Sequence, residues 1–373
     1  MNLNISDQKI GGSALNTLII LLDGAADENI PELGDLTPLE SFKKPFMDSI
    51  ASNGLLGWTD GREYTHLFLL EFLTGNNLNV SRGLVEAAGM GVPIEPGRVA
   101  YRFSPAYIDD SGISWAYRVT PEVSSSLQST ILSNLDILDD LSPRIYFYDE
   151  EFGDGRGVMT VEAEEVIQFP MPPAPVRDSY LPENSIRKFI HKVASDMNGL
   201  TIIPWGGGSL TRLEEDITIP EIRDLVMISK SPSALGVGGL LNIRRDKVDN
   251  MWNGFQESLR LLENGNVLMH VEETDEISHR CVPEQKVGML REIDELLIEN
   301  FGRLVGHRVA FIIDHGTSSI SGQHISMRVP FAVSEVINSS EPTVRFCENN
   351  LQYVSLDKLA KTILTYPSSS NSV

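Results

Sequence analysis

Apolar and polar positions follow two different rhythms along this chain. The run Leu18-Ile19-Ile20-Leu21-Leu22 has no polar member and stops at Asp23-Gly24. That is the pattern of a strand buried on both faces of a parallel sheet. The same grammar recurs where Val267-Leu268-Met269-His270 leads to Thr274-Asp275, and where Val309-Ala310-Phe311-Ile312-Ile313 leads to Asp314-His315. Between these runs, apolar residues repeat at helical spacing over 249–264 and 284–299. The stretch from Lys44 to Asn53 carries Pro45 at its start and Gly54 as its stop, which predicts another helix. Strands alternating with helices predict a doubly wound α/β core. In such sheets ligands bind beyond the carboxyl ends of the strands, and all three acids fall there.

From Phe103 to about Asn198 the pattern shortens. Arg144-Ile145-Tyr146-Phe147-Tyr148 and Val158-Met159-Thr160-Val161 predict short strands. The run Phe169-Pro170-Met171-Pro172-Pro173-Ala174-Pro175 excludes a helix or central strand, because proline lacks the donor. An inserted, smaller α+β domain is therefore expected at 103–198, between core segments 13–102 and 199–366, with a disordered Ser/Asn-rich tail at 367–373. Gly206-Gly207-Gly208 lacks the spacing and downstream acid of a dinucleotide fingerprint and predicts a tight loop.

Composition narrows the function classes. The 373 residues include 30 Lys+Arg and 52 Asp+Glu, a net charge of −22, and are 41% apolar. So apolar a chain builds a core, and its length suits two domains or one large domain with an insertion. Its acidity disfavours nucleic acid and anionic membrane as partners, since both need a basic surface. Two cysteines, Cys281 and Cys347, make no disulfide framework, which fits a reducing, cytoplasmic setting. Met1 to Gly12 lacks a signal-peptide pattern, and Leu18 to Leu22 is too short to span a bilayer.

Asp275 and His279 are spaced i, i+4, which on a helix places both on one face about 5–6 Å apart. Asp314-His315, His324 and Asp23 complete three Asp and three His near strand ends, a mixed oxygen/nitrogen donor set of the kind that holds Zn²⁺ or Mn²⁺. Two such ions a few ångströms apart suit phosphoryl transfer. Cys281, two residues past His279, is a further candidate thiolate contact. His66 reads as a packing neighbour of the site rather than a ligand.

These motifs resemble the archaeal type of cofactor-independent phosphoglycerate mutase, in the alkaline phosphatase superfamily. The resemblance runs through Leu21-Leu22-Asp23-Gly24-Ala25-Ala26-Asp27, Leu36-Thr37-Pro38-Leu39-Glu40, and Ser81-Arg82-Gly83-Leu84-Val85-Glu86-Ala87. It returns at Arg102, at His270-Val271-Glu272-Glu273-Thr274-Asp275-Glu276-Ile277-Ser278-His279, at Asp314-His315-Gly316-Thr317 and at His324. It implies an alkaline-phosphatase-like core and divalent metal, commonly Mn²⁺ or Zn²⁺. Asp275, His279 and His324 would hold one ion, and Asp23, Asp314 and His315 the other, together with a serine that is phosphorylated in passing. Arg102 and Arg82 would contact a small phosphorylated acid, as 3-phosphoglycerate becomes 2-phosphoglycerate in glycolysis.

The sequence departs from that family at the nucleophile. The family's serine stands four residues before a histidine; counting back four from His66 lands on Arg62, whose guanidinium has no nucleophilic oxygen. Placed between Asp23 and Asp314, Arg62 would bind both carboxylates and repel a cation, leaving one metal site rather than two. Thr59 and Thr65 are the nearby hydroxyls. Where the family has a lysine, this chain has Glu272, and each unit charge pair at 4 Å is worth about 4 kcal/mol at an effective dielectric near 20. The family's Arg-Gly-Ala-Gly reads Trp205-Gly206-Gly207-Gly208 here, so another cation is gone, and Arg156 reads as a structural ion pair. The expectation is a mutase-like protein with little or no mutase activity. The alternatives are a hydrolase using metal-bound water, and a non-catalytic binding or regulatory paralogue.

Overall fold

Every residue of the first apolar run is buried in a strand, β1 (Thr17–Leu22). A computed structural model describes residues 15–367, except 111, 117–118, 149–154, 170–176, 211–212, 214–216, 218, 339–340 and 350–351. The proline run from Pro170, the first twelve residues and the tail from 368 lie outside the described residues. The further strands are β2 (Leu55–Asp60), β3 (Arg98–Asp109), β4 (Gly112–Trp115), β5 (Arg144–Phe147), β6 (Gly157–Glu162) and β7 (Leu200–Ser209). They continue with β8 (Val226–Ser229), β9 (Arg244–Lys247), β10 (Val267–Val271), β11 (Arg308–Ile312), β12 (Gly316–Thr317), β13 (His324–Ile325) and β14 (Arg328–Glu335).

The large sheet has seven strands in the order β2-β14-β11-β1-β10-β8-β9. It is parallel from β11 to β9, with β14 and β2 added antiparallel at one side. β1 pairs with β10 on one side and β11 on the other, so strand order reverses at its carboxyl end and a crevice opens there. Helices cover both faces. One face buries Phe46, Phe255, Leu290 and Leu297 against the sheet, and the other buries Phe68, Leu84, Val237 and Leu359. This is the doubly wound core that the alternating pattern predicts.

A second, antiparallel sheet is built on β3, which pairs with β7 along one edge and with β6 and β4 along the other. β5 lies outside β6. Tyr101, Phe103, Phe189 and Trp205 lie in its core. The glycine run 206–208 is not the tight loop expected from sequence, because it lies inside β7. Gly206, at φ +60°, absorbs the irregularity opposite Ala100 and Arg102. A Cβ on Gly207 would come within 2.3 Å of the Tyr101 ring, and one on Gly208 within 1.8 Å of Ser81 Oγ. The glycines are there for close approach within a strand, which composition alone does not separate from a turn.

Lys286 ties the two halves of the core together. Its side chain is fully buried, and Nζ donates to Asp27 Oδ2 at 3.0 Å and to the carbonyls of Ala26 at 3.0 Å and Thr317 at 2.8 Å. The turn after β1 is thereby fixed to the turn after β11. Asp294 plays a similar part for the helix Pro45–Asn53, whose preceding residue Lys44 offers no side-chain cap. Its carboxylate instead accepts from the backbone N–H of Met47 at 2.8 Å and of Phe46 at 3.3 Å.

Two outcomes follow. Lys286→Met leaves Asp27 buried without its cation and should cost about 3–5 kcal/mol, read by urea unfolding. Burial raises the Asp294 carboxyl to about 6, so the folded chain holds a proton that the unfolded chain releases between its ordinary value of 3.8 and that pH. This group's contribution to stability should therefore fall as pH rises through that window. Asp294→Asn should flatten the slope in unfolding free energy measured from pH 4 to 6.

Candidate metal centre

Three strand ends deliver the site. Asp23 follows β1 directly and its backbone carbonyl accepts from the Thr274 hydroxyl. Gly24, at φ +60°, turns the chain away; a Cβ there would stand 2.5 Å from both Asp275 Oδ1 and Thr317 Oγ1. Only glycine lets these two loops meet. Asp314 lies just past β11, fully buried, and its Oδ1 accepts from the N–H groups of Gly24 at 3.1 Å and His315 at 3.0 Å. Asp275 sits in the short helix Glu273–Ser278 after β10, with His279 at that helix's end. His324 opens β13.

These side chains converge. His279 Nε2 is 3.0 Å from Asp275 Oδ2, and His324 Nε2 is 3.8 Å from Asp275 Oδ1. His315 Nε2 lies 3.1 Å from Asp23 Oδ1, and its ring stacks on His324 with centroids 4.1 Å apart. Donor atoms of Asp275, His279 and His324 lie within 4.8 Å of one another, and so do those of Asp23, Asp275 and His315. Asp275 is common to both groups. Asp314, expected beside Asp23 and His315, contacts the second group through His315 Nε2 at 3.4 Å.

The donor chemistry fits divalent cations. His279 Nδ1 lies 2.7 Å from the carbonyl of Gly322 and His324 Nδ1 lies 2.8 Å from that of Glu63. A carbonyl only accepts, so each Nδ1 donates its proton there, and Nε2 is the nitrogen that faces Asp275 and would be free to ligate an ion placed between them. Thr317 Oγ1 donates to Asp275 Oδ1 at 2.6 Å and steadies it further. Asp314 Oδ2 faces His315 Nε2 at 3.4 Å.

Charge reinforces the fit. Burial, and then the neighbouring Asp23, push the Asp314 carboxyl up to about 7. Burial would raise Asp23 as well, but hydrogen bonds to His270 and His315 outweigh it and hold Asp23 well below the usual range. The two imidazoles are in turn raised, His270 to about 9 and His315 to about 10, because the carboxylates overcome the cost of burying their charge. Acids this close need positive charge among them, which is what a dication supplies.

The structure corrects the expectation for Arg62. Its guanidinium does not bridge Asp23 and Asp314. It makes two parallel bonds to Glu71, Nε to Oε2 and Nη2 to Oε1, each at 2.8 Å, and a third to the Gly61 carbonyl. Only its backbone N–H reaches Asp314, at the carbonyl oxygen, 2.8 Å away. Glu71 lies on the helix Thr65–Thr74, and a bidentate carboxylate there outcompetes acids that already have histidine partners. Arg62 therefore does not repel a cation from the second group, and the argument for one ion rather than two loses its cause.

The hydroxyl that enters instead is Thr65, first residue of that helix, with Oγ1 3.3 Å from both oxygens of Asp23. Thr59 is buried within β2. Cys281 Sγ lies 3.9 Å from the His279 carbonyl, and neither donor group includes it. His66 is buried beside Arg82, 3.5 Å from Nη1, and burial with that cation lowers it to about 3, so it is neutral. Arg82 and Arg102 both pair with buried Glu86, and Arg102 also lies over the Trp205 and Tyr148 rings.

Two participants escape a reading of the sequence. His270 holds Asp23 Oδ2 at 2.8 Å through Nε2 and meets Ser229 Oγ at 2.9 Å through Nδ1. A lone histidine in an otherwise apolar strand is the signal that could have found it. Lys230, after β8, pairs with Glu276 at 2.8 Å and Glu273 at 3.3 Å. A cation is thus present beside Glu272, delivered by another strand. Glu272, which accepts from Ser231 Oγ at 3.0 Å, is raised by burial to about 7.

Within this doubly wound α/β fold, residues 241–367 match the metalloenzyme superfamily. The 2,3-bisphosphoglycerate-independent phosphoglycerate mutase 1 of Methanothermobacter thermautotrophicus is 25% identical over 370 residues, covering 85% of this chain and 88% of that one. The corresponding mutase of Methanobrevibacter smithii is 21% identical over 366 residues, covering 85% and 88%. Among solved structures, a protein of Pyrococcus horikoshii superposes with a TM-score of 0.69 at 18% identity, covering 94% of this chain and 97% of that one. The cofactor-independent phosphoglycerate mutase of Thermoplasma acidophilum does so at 0.54 and 16%, covering 94% and 99%. Over most of its length the chain is thus similar to archaeal phosphoglycerate mutases, and its stretch 241–367 to the metalloenzyme superfamily.

Isothermal titration with MnCl₂ checks the centre. Thr317→Val should weaken binding about 10–100-fold by freeing Asp275. Arg62→Ala should leave the stoichiometry unchanged, since its guanidinium serves Glu71.

Proposed function

We propose that this chain is a divalent-metal-dependent enzyme acting on a small phosphorylated acid, with mutase turnover far below that of its relatives. The observation that carries this reading is the convergence of Asp23, Asp275, His279, His315 and His324 in two donor groups, while Arg62 points at Glu71. Asp275, His279 and His324 would hold one Mn²⁺ or Zn²⁺, and Asp23, His315 and Asp314 would adjoin a second. Bound there, the metal supplies positive charge to the phosphoryl oxygens as negative charge develops on them.

The chain's own residues set what the site accepts. Arg82 and Arg102 would orient the anionic end of a substrate, but buried Glu86 already draws on both. Glu86 therefore offsets part of the positive charge that the two guanidiniums bring. Lys230 is likewise shared between Glu273 and Glu276. A substrate such as 3-phosphoglycerate, with a phosphate and a carboxylate, meets less positive charge than two free guanidiniums and a free lysine would offer. Retaining it while it turns between two phosphoryl transfers is correspondingly harder, and escape of the product to water is favoured. Neither nucleic acid nor membrane is part of this reading, given the net charge of −22. A cytoplasmic setting is part of this reading, since Cys281 and Cys347 are too few for a disulfide framework. Among the described residues no helix is long and apolar enough to cross a membrane.

The test pairs two assays on the Mn²⁺-loaded protein. Conversion of 3-phosphoglycerate to 2-phosphoglycerate should run about a thousandfold or more below an archaeal mutase measured alongside. Metal-dependent release of inorganic phosphate from the same compound should be detectable. Mutase turnover at the relatives' rate would sink the first claim, and absence of any metal-dependent phosphate release would sink the second.

A further inference from the structure

Met227, Leu268 and Ile19 stand in register across β8, β10 and β1 and pack into one apolar core. Side chains alternate between the two faces of a strand. One pleat further toward the carboxyl ends, the same face therefore carries Ser229, His270 and Leu21, and Asp23 follows two residues after Leu21. Ser229 and the His270 side chain are fully buried. Polar groups set against a packed core have to satisfy one another, and here they do so in a row that crosses three strands.

The row has a direction. The backbone N–H of Ser231 donates to Ser229 Oγ at 2.9 Å, while the Ser231 hydroxyl goes to Glu272. Ser229 Oγ meets His270 Nδ1 at 2.9 Å, and His270 Nε2 meets Asp23 Oδ2 at 2.8 Å. An ionised carboxylate only accepts, so Nε2 carries a proton and donates it to Oδ2. Asp23 Oδ1 is left on the other side, 3.1 Å from His315 Nε2, within the donor group of Asp23, Asp275 and His315. Thr65 Oγ1 lies 3.3 Å from both oxygens and so favours neither.

We propose that Ser229 and His270 are positioning residues that commit Asp23 Oδ2 to the sheet and keep Oδ1 for the cation of the second donor group; this rests on the metal-dependent reading above. A carboxylate turns readily about the bond to its Cβ, because that torsion is broad. Tying down one oxygen fixes which one faces the ion, and the ordering is done before the ion arrives. Ser229 does for the imidazole what the imidazole does for Asp23. With Nδ1 held, the ring keeps Nε2 on the Asp23 side, and hydrogen bonds in series strengthen one another.

The test has two arms. In the metal-free full chain labelled with ¹⁵N-histidine, NMR should show a His270 Nε2–H proton protected from exchange, assigned by its loss in His270→Gln. It should exchange faster in Ser229→Ala. Absence of that proton in wild type would overturn the row whatever the metal does. In the second arm, MnCl₂ titration of wild type should show two binding steps. Ser229→Ala should weaken one of them about tenfold and His270→Met about 10–100-fold, with the other step unchanged. Ser229→Thr, which keeps a hydroxyl, and His270→Gln, whose amide can donate from the place of Nε2, should retain most of the affinity. A merely structural role would lower thermal stability and move both steps alike. Unchanged binding by folded Ser229→Ala and His270→Met, or a Gln variant no better than Met, would overturn the positioning role while leaving the metal-dependent reading intact. A wild-type chain that shows the protected proton but takes up no Mn²⁺ would overturn that reading, and the role toward the cation with it.

Discussion

Buried negative charge at the carboxyl ends of three neighbouring strands governs the architecture of this molecule. Asp23, Asp275 and Asp314 share a space too small and too dry for three uncompensated carboxylates. Desolvation of each costs several kcal/mol unless opposite charge or donors are close. The surroundings answer that demand in layers. His315 and His270 grip Asp23, Thr317 and His279 grip Asp275, and backbone N–H groups grip one oxygen of Asp314. The loops that carry these partners have one workable arrangement, which Gly24 makes possible by letting Asp275 pass where a side chain would otherwise stand.

The core was largely legible in sequence because its signal is local. Apolar runs of about five residues ending in Asp mark parallel strands and their ligand ends without knowledge of what packs on them. The meeting of Asp23, Asp275, His279 and His315 was legible for the same reason, since each sits at such an end or on the segment that follows it, whereas the sharing of Asp275 by both donor groups was not. Side-chain direction at position 62 was not legible. Whether a guanidinium swings toward Asp23 or toward Glu71 depends on the competition between two carboxylates that are distant in sequence, and only the folded geometry decides it. Lys230 and His270 belong to the same class of miss. Both act through partners more than forty residues away in the chain, and no periodicity reports such a pairing.

Positive charge is present around the pocket, but it is paired. A glutamate stands where the archaeal mutases are expected to carry a lysine, yet Lys230 reaches the same neighbourhood from the end of β8. The guanidinium at position 62 is neutralised locally by Glu71, and the pair Arg82–Arg102 by Glu86. What distinguishes this pocket is that nearly every cation in it already has an acid of its own.

The placing of β1 between β10 and β11 has a consequence for how the molecule assembles. The matched stretch 241–367 contributes β10 and β11, but these strands do not touch each other; the strand that separates them comes from some 250 residues earlier. Their edges stay open until that early segment arrives, and closing so long a loop carries an entropic toll that local contacts cannot offset. Asp23 rides on the same strand. The centre is complete only after the most distant parts of the chain have met, so its competence to hold an ion doubles as a report on whether the entire sheet has closed.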